Sequence, residues 1–150
     1  MADIKSKSAR FFEVRIRYTE DTDDAKKKHT VETQAIEAET FVEAATKAMD
    51  YNKSLEEIEI KAIKIAPFVT VVYYPHDDAD VELKYFRAKV TDLITIDDGK
   101  EKKSAVNYLI QAPTMGDARD LIVKFMDGTP NKYEIASVSV ANIVEVVEHE

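Results

Sequence analysis

The stretches EIKAIKIAPFVTVV (Glu59–Val72) and EIASVSVANIVEVV (Glu134–Val147) write nearly the same strand-forming text twice within 150 residues. A shift of 75 sets Glu59 on Glu134, Ile60 on Ile135, Ala66 on Ala141 and Val71 on Val146. Upstream, a shift of 74 sets Phe12 on Phe86, Ile16 on Val90, Ile36 on Ile110, Thr40 on Thr114 and Ala44 on Ala118. A one-residue indel in a loop reconciles the two offsets. Similarity at a fixed offset over about 60 residues is what a tandem duplication leaves, and two copies are too few for a solenoid. The expected product is a single domain over residues 1–150 with pseudo-twofold symmetry. Repeat 1 covers about 11–72, a linker about 73–84, and repeat 2 about 85–147.

Each copy has the same readable order of elements. FFEVRIRY (Phe11–Tyr18) and YFRAKVTDLITI (Tyr85–Ile96) alternate apolar and polar residues, the period of a half-buried strand. Phe12, Val14, Ile16 and Tyr18 are expected to face the core, and so are Phe86, Ala88, Val90, Ile94 and Ile96. Charged arms follow, TEDTDDAKKK and DDGKEKK, with Asp98-Gly99 as a hairpin signal. Partner strands come next, TVETQAIEA and SAVNYLIQA.

Helices then start at Thr40 and Thr114, with Glu43 and Asp117 three residues on in capping-box positions. The first helix is expected to bury Phe41, Ala44, Ala45, Ala48 and Met49. The second is expected to bury Met115, Ala118, Leu121, Ile122, Phe125 and Met126. The quoted strand pairs close each copy, broken at Ala66-Pro67 and Ala141-Asn142, and Pro67 marks a bend or a sheet edge. The fold class is therefore α+β: a tandem pseudo-twofold duplication of a ββαββ unit, with antiparallel sheets and two helices.

Composition excludes several classes of function. There is no Cys, so disulfides, thiolate catalysis and sulfur-ligated metal sites are ruled out. No run approaches the roughly 20 apolar residues of a membrane span, and MADIKSKSARFF lacks the apolar core of a signal peptide. A cytoplasmic protein with no membrane partner is the expectation. The net charge of −8 opposes whole-surface attraction to nucleic acid while leaving room for a local basic face.

The search for chemistry is mostly negative. His29, His76 and His149 fall in a hairpin arm, the linker and the tail, without metal-ligand spacing. EDTDD (Glu20–Asp24) and HDDAD (His76–Asp80) lack the Gly and final Glu of a calcium loop and read as solvated charge. Phosphate-cradle and nucleophile-elbow motifs are missing. No catalytic residues, metal or cofactor are assigned, and a non-enzymatic protein is expected.

One surface feature stands out. If Phe12, Val14 and Ile16 point inward, alternate residues point the other way. The outward sets are Phe11, Glu13, Arg15 and Arg17 in one copy and Tyr85, Arg87, Lys89 and Thr91 in the other, and the candidate binding residues among them are Phe11, Arg15, Arg17, Tyr85, Arg87 and Lys89. An aromatic followed by two cations, presented twice, suits single-stranded nucleic acid, with bases on the rings and phosphates on the cations. The same residues also suit an ordinary sheet rim, with solubilising cations and aromatics packed away. A protein-interaction or assembly module, virion-associated or self-associating through exposed strand edges, is the alternative function.

The element order ββα-ββββ-α-ββ resembles the ββββα units of the Whirly, PC4-like and Pur-type nucleic-acid-binding proteins. The resemblance is one of order alone. FFEVRIRY, GKEKKSAVNYLIQA and KYEIASVSVANIVEV are similar to a family of domains of unknown function of about this length, found in Bacteroidetes and their phages and mobile elements. That resemblance spans Phe11 to about Val147. It implies a phage or mobile-element setting in a host cytoplasm and no residue-specific chemistry.

Overall fold

The computed structural model describes residues 4–21, 27–75, 81–96, 99–130 and 132–148. It is α+β, with two helices and two mixed sheets. The chain divides into two compact units, the first made of Met1–Ser8 with Pro67–Ala141 and the second of Ala9–Ala66 with Asn142–Glu150. No helix among the described residues is long and apolar enough to cross a membrane.

The second unit is built on strands β2 (Phe11–Asp21), β3 (Lys27–Glu37) and β4 (Glu56–Ile65), helix α1 (Phe41–Tyr51) and the C-terminal strand β9 (Ile143–Val147). Its sheet order is β4-β2-β3-β9. Alternation on β2 does what the sequence predicts on one face: Phe12, Val14, Ile16 and Tyr18 are buried with Ile36, Ala38, Ala44 and Ala48 against α1. Thr40 caps the helix by accepting the Glu43 N–H at 3.1 Å, and the Glu43 carboxylate accepts the Glu39 N–H at 3.0 Å. Small alanines let the helix lie close to the sheet. Phe41 and Met49, expected in the core, are 50% and 41% exposed, because Ala44 and Ala48 alone fill the narrow contact. Phe41 still touches the core edge-on, 5.0 Å from the Phe12 ring.

The first unit contains β1 (Ser6–Ser8), β5 (Phe68–Val72), β6 (Lys84–Thr95), β7 (Glu101–Ala112), α2 (Met115–Asp127) and β8 (Lys132–Val140), in the sheet order β1-β5-β7-β6-β8. Its core joins Val72, Phe86, Ala88, Val90 and Ile110 to Ala118, Leu121, Ile122 and Met126 of α2. Thr114 caps α2 as Thr40 caps α1, accepting the Asp117 N–H at 3.1 Å. Gly99 turns the β6–β7 hairpin at φ +80°, its N–H bonded to the Ile96 carbonyl at 2.9 Å. Asp98, the other half of that hairpin signal, lies outside the described residues. Ile94, Ile96 and Met115 are 44%, 42% and 43% exposed rather than buried, since they sit beyond the reach of α2 or at its first turn.

Pairing registers match at the offsets read from the sequence. Phe11 pairs with Glu37 and Tyr85 with Gln111; Phe12 pairs with Ile65 and Phe86 with Val140. Both long strands carry an irregularity at the corresponding place, between Arg15 and Ile16 and between Lys89 and Val90.

Two expectations change. The sheets are mixed, because β9 runs parallel to β3 and β5 parallel to β7. The closing strands also do not stay with the strands that precede them in the chain: β5 joins the sheet of β6–β8, and β9 joins the sheet of β2–β4. Pro67 lies at the first crossing and Ala141-Asn142 at the second. Pro67 has no N–H to give a ladder, so the chain leaves one sheet there and enters the other.

Candidate functional site

The six residues expected on an open basic and aromatic face divide sharply. Arg15 and Lys89 are exposed, and Arg17 and Arg87 are half-buried. Phe11 and Tyr85 are only 1% and 8% exposed, so the rings that were to stack on bases are buried. Alternation fixes which face a residue takes and says nothing about whether that face is covered. Glu13, on the same face as Phe11, is also buried and pairs with Lys64 at 3.1 Å. The four cations therefore remain as a surface feature without their stacking partners.

His29 accepts or donates a hydrogen bond with the Thr19 hydroxyl at 3.3 Å, an ordinary strand contact. His76, His149 and most of the two acidic loops lie outside the described residues. Among the described residues, no cluster of three or more His, Asp or Glu side chains is placed to hold a metal.

Geometry that looks built lies elsewhere, on the helix-facing side of the second unit. A pocket of about 420 Å³ opens where the C-terminal end of α1 meets strands β3 and β9. Its floor is a pair of buried amides. Gln34 Nε2 donates to Asn52 Oδ1 at 2.9 Å, and Asn52 Nδ2 donates back to Gln34 Oε1 at 2.8 Å. Asn52 Nδ2 also donates to the Ala48 carbonyl at 2.7 Å, closing the last turn of the helix. Gln34 and Asn52 are 3% and 5% exposed, so these bonds are made away from bulk water, where breaking one side leaves the other unsatisfied.

Carboxylates and phenols form the walls. Strand alternation brings Tyr18, Glu32 and Gln34 to the helix side, and the parallel β3–β9 register sets Glu145 opposite Gln34. The Tyr18 hydroxyl is pushed up to about 12 by burial, then by Glu32 through a hydrogen bond and its charge, with a smaller effect of Glu20. It is a donor at neutral pH. Burial raises Tyr51 as well, helped by the charge of Glu145 and the hydrogen bond to it. Glu145 is itself raised above the ordinary carboxylate range, mainly by burial and further by the charge of Glu32. Hydrogen bonds from the Val146 N–H and the Tyr51 hydroxyl pull the other way. Leu55 and Val144 give the pocket its apolar edge.

At four of the corresponding positions the first unit carries aromatic or apolar side chains, while Tyr18 and Glu145 correspond to Asp92 and Thr70. Gln34, Tyr51 and Asn52 correspond at the 74-residue offset to Tyr108, Phe125 and Met126, and Glu32 to Val106. Tyr108 and Phe125 meet edge to face at 5.8 Å, and Met126 is 2% exposed. Sequence reasoning passed over this contrast, although the failure of the fixed offset to match at these positions was its signal.

The chain belongs to the family described as Domain of unknown function (DUF4494), which matches residues 10–149. No curated protein and no solved structure matches it.

Proposed function

We propose that this member of the family is a binding module rather than a catalyst, and that the pocket of its second unit receives a positively charged group. The single observation that carries the reading is the convergence of Glu32 and Glu145 in one space of about 420 Å³, beside the carbonyl end of α1. A helix C-terminus carries roughly half a negative charge, which adds to the two carboxylates. The raised Glu145 supports this, because burial and then the charge of Glu32 disfavour its ionised form, and an incoming cation relieves that penalty. The net charge of −8 favours approach of cations from a distance. Tyr18, holding its proton to about 12, serves to orient a carboxylate and is no general base near neutral pH.

The setting we infer is a phage or mobile-element accessory protein of Bacteroidetes acting in the host cytoplasm, a protein-interaction or assembly module. The matched registers and irregularities support a tandem ββαββ duplication whose closing strands have exchanged sheets. Titration with small organic cations, followed by amide NMR, tests the pocket. Saturable shifts at Glu32, Gln34 and Glu145 that vanish in Glu32→Gln/Glu145→Gln are expected; a flat titration with every cation refutes the reading.

One observation favours a second reading, single-stranded nucleic-acid binding. Arg15 and Lys89 are exposed at corresponding positions beside corresponding strand irregularities, with Arg17 and Arg87 next to them. Four phosphate contacts would give log Kd a salt slope of about 3 for a single strand. A salt series with a labelled oligonucleotide, repeated on the Arg15, Arg17, Arg87 and Lys89 alanine variants, measures it. Absence of binding at low salt removes this reading.

A further inference from the structure

We infer that two molecules of this chain pair β8 against β8, antiparallel about Ser139, and so join their five-stranded sheets into one, an inference that rests on the assembly role given above and not on the pocket. Among the described residues, β1, β8, β4 and β9 end the two sheets. A sheet edge offers unpaired N–H and C=O groups to any strand that meets it, and proteins guard it by shortness or by charge, lysine above all. β1 has three residues, and β9 has five with Glu145 at its centre. β4 is long but carries Glu56, Glu57, Glu59, Lys61 and Lys64. β8 runs for nine residues and has no charged side chain over 135–140. At the 75-residue offset Lys61 and Lys64 correspond to Ala136 and Ser139, so the guards of one edge are missing from the equivalent edge. The other uncharged stretches in strands, β5 and residues 104–112 of β7, have a strand on both sides. β8 has the composition of an interior strand and lacks one neighbour.

The hydrogen-bonding direction of the backbone gives the register. The Ala141 N–H donates to the Tyr85 carbonyl of the neighbouring strand at 3.0 Å. Successive residues of a strand turn these groups to opposite sides. Ser139 is therefore turned toward β6, while Val138 and Val140 present N–H and C=O to the open edge. Pairing with β6 runs without irregularity from Ser137 opposite Lys89 to Val140 opposite Phe86. The segment reads nearly alike from either end, Ser-Val-Ser-Val-Ala over 137–141, which suits a second molecule of the same chain. Centred on Ser139, Val138 of one molecule lies opposite Val140 of the other and the two exchange both backbone hydrogen bonds. Side chains agree with this register. Val138 and Val140 take the helix-facing side, opposite Ala88 and Phe86 of the core, so that valine meets valine, and Ser139 meets Ser139 on the other face. Val140 is 64% exposed, and pairing removes that apolar surface from water. Glu134, the nearest charge on β8, lies outside the paired segment, so no like charges are set opposite each other. So short a strand pair falls below the roughly 1,600 Å² of a standard interface, and the dimer is weak and forms with concentration.

Sedimentation velocity on the full chain, with protein from about 5 to about 500 µM, measures the pairing. Expected is a rise from 17.0 kDa toward twice that mass, with a Kd on the order of 100 µM. Added salt should tighten it, because each molecule brings a net charge of −8 while the paired segments carry none. Amide hydrogen exchange locates the contact. Val138 and Val140 should slow as concentration rises, whereas Ile63 and Ile65, the corresponding open-edge positions of β4, should not change. Ser139→Lys sets two lysines opposite each other on the twofold axis and should weaken self-association at least tenfold; mixing it with Ser139→Glu should restore the dimer. Because residue 139 also stands opposite Arg87, a second variant is needed that adds no charge. Val140→Pro removes an N–H from the open edge only, and should weaken the dimer to a similar degree.

A single species of 17.0 kDa over the whole range overturns the inference, and so does a dimer that ignores both variants and leaves the exchange of Val138 and Val140 unchanged. Growth beyond twice the mass overturns it as well, since pairing about a twofold axis closes on itself. A chain that stays monomeric while an added Thr-Val repeat peptide slows the Val138 and Val140 amides takes a foreign strand at this edge; the inference then falls and the assembly role stands. A monomer that responds to neither loses both.

Discussion

The buried amide pair gives the sharpest energetic prediction. Asn52→Leu removes both bonds that Asn52 makes to Gln34, leaving Gln34 Nε2 and Oε1 unsatisfied in a side chain that is 3% exposed. Each orphaned buried polar group costs about 1–3 kcal/mol, so the single variant should lose at least about 2 kcal/mol. Backbone strain contributes nothing to this figure, because Asn52 sits at φ −102° and ψ 17°, open to leucine. For a chain of 150 residues that loss lowers Tm by roughly 4 °C or more. Gln34→Leu should cost a similar amount for the reciprocal reason. The double variant Gln34→Leu/Asn52→Leu replaces both partners by apolar groups of similar shape, a change that can be close to neutral. Urea unfolding followed by circular dichroism, on all four proteins of the cycle, should yield a coupling energy of about 4 kcal/mol, the two single losses less a near-neutral double. If the single variants each cost under about 1 kcal/mol, or if their costs simply add in the double variant, the two amides are not a mutually dependent buried pair. The floor of the pocket would then be misread.

Other consequences are quicker to check. Phe11→Ala should destabilise by about 3–5 kcal/mol in urea, as truncation of a fully buried aromatic does, whereas Arg15→Ala should stay within about 0.5 kcal/mol; equal small effects would put Phe11 back on an open face. Fragments 1–75 and 76–150, made separately, should each lack a cooperative melt, because each carries the closing strand of the other's sheet, and should regain it when mixed in equal amounts; a cooperative melt from either half alone contradicts the exchanged strands. Tyr18 has a folded-state pKa raised from 10.0 to about 12, so its contribution to stability is present below pH 10 and lost as pH rises through about 12. Absorbance at 295 nm should show several phenols titrating late, and the component near pH 12 should disappear in Tyr18→Phe. Ionisation of every tyrosine at the ordinary pH would contradict the contacts with Glu32 and Glu20.

Much of the scaffold could be read from local pattern. Phe12, Val14, Ile16 and Tyr18 announced the helix-facing side of β2, and Thr40 and Thr114 marked both helix starts, since alternation and capping act over a few residues. The fixed offset anticipated the matched registers. Long-range partnership was not legible in the same way. Ala66-Pro67 signals that the chain breaks, yet whether Phe68–Val72 then pairs with β4 or with β7 depends on which sheet has an unfilled neighbour, and no local residue encodes that. The burial of Phe11 and Tyr85 was hidden for a related reason: a strand has two faces, and its own sequence does not state what covers the second. The pocket escaped because Glu32 and Glu145 stand 113 residues apart and meet only through the parallel pairing of β9 with β3.

The mismatch at these offset positions bears on what such a pocket demands of the fold. In the first unit Tyr108, Phe125 and Met126 close the space with apolar contact, and filled apolar space is the more stable solution for a domain of this size. In the second unit the same positions carry Gln34, Tyr51 and Asn52, and the reciprocal hydrogen bonds between Gln34 and Asn52 give only a modest net gain over the desolvation of the groups that make them. Stability alone therefore gives no reason for the polar set, because a near-equivalent backbone shows the apolar alternative already packed. A feature that departs from the stable local solution and leaves an open space is where binding is expected. The amide cycle separates the two roles: Gln34→Leu/Asn52→Leu should keep the urea midpoint close to that of the unaltered chain. It should nonetheless weaken the binding of small organic cations, because Gln34 and Asn52 line the pocket and Gln34 stands opposite Glu145 in the β3–β9 register. A double variant that is stable and binds as well as the unaltered chain would show that the amides support neither the fold nor the pocket.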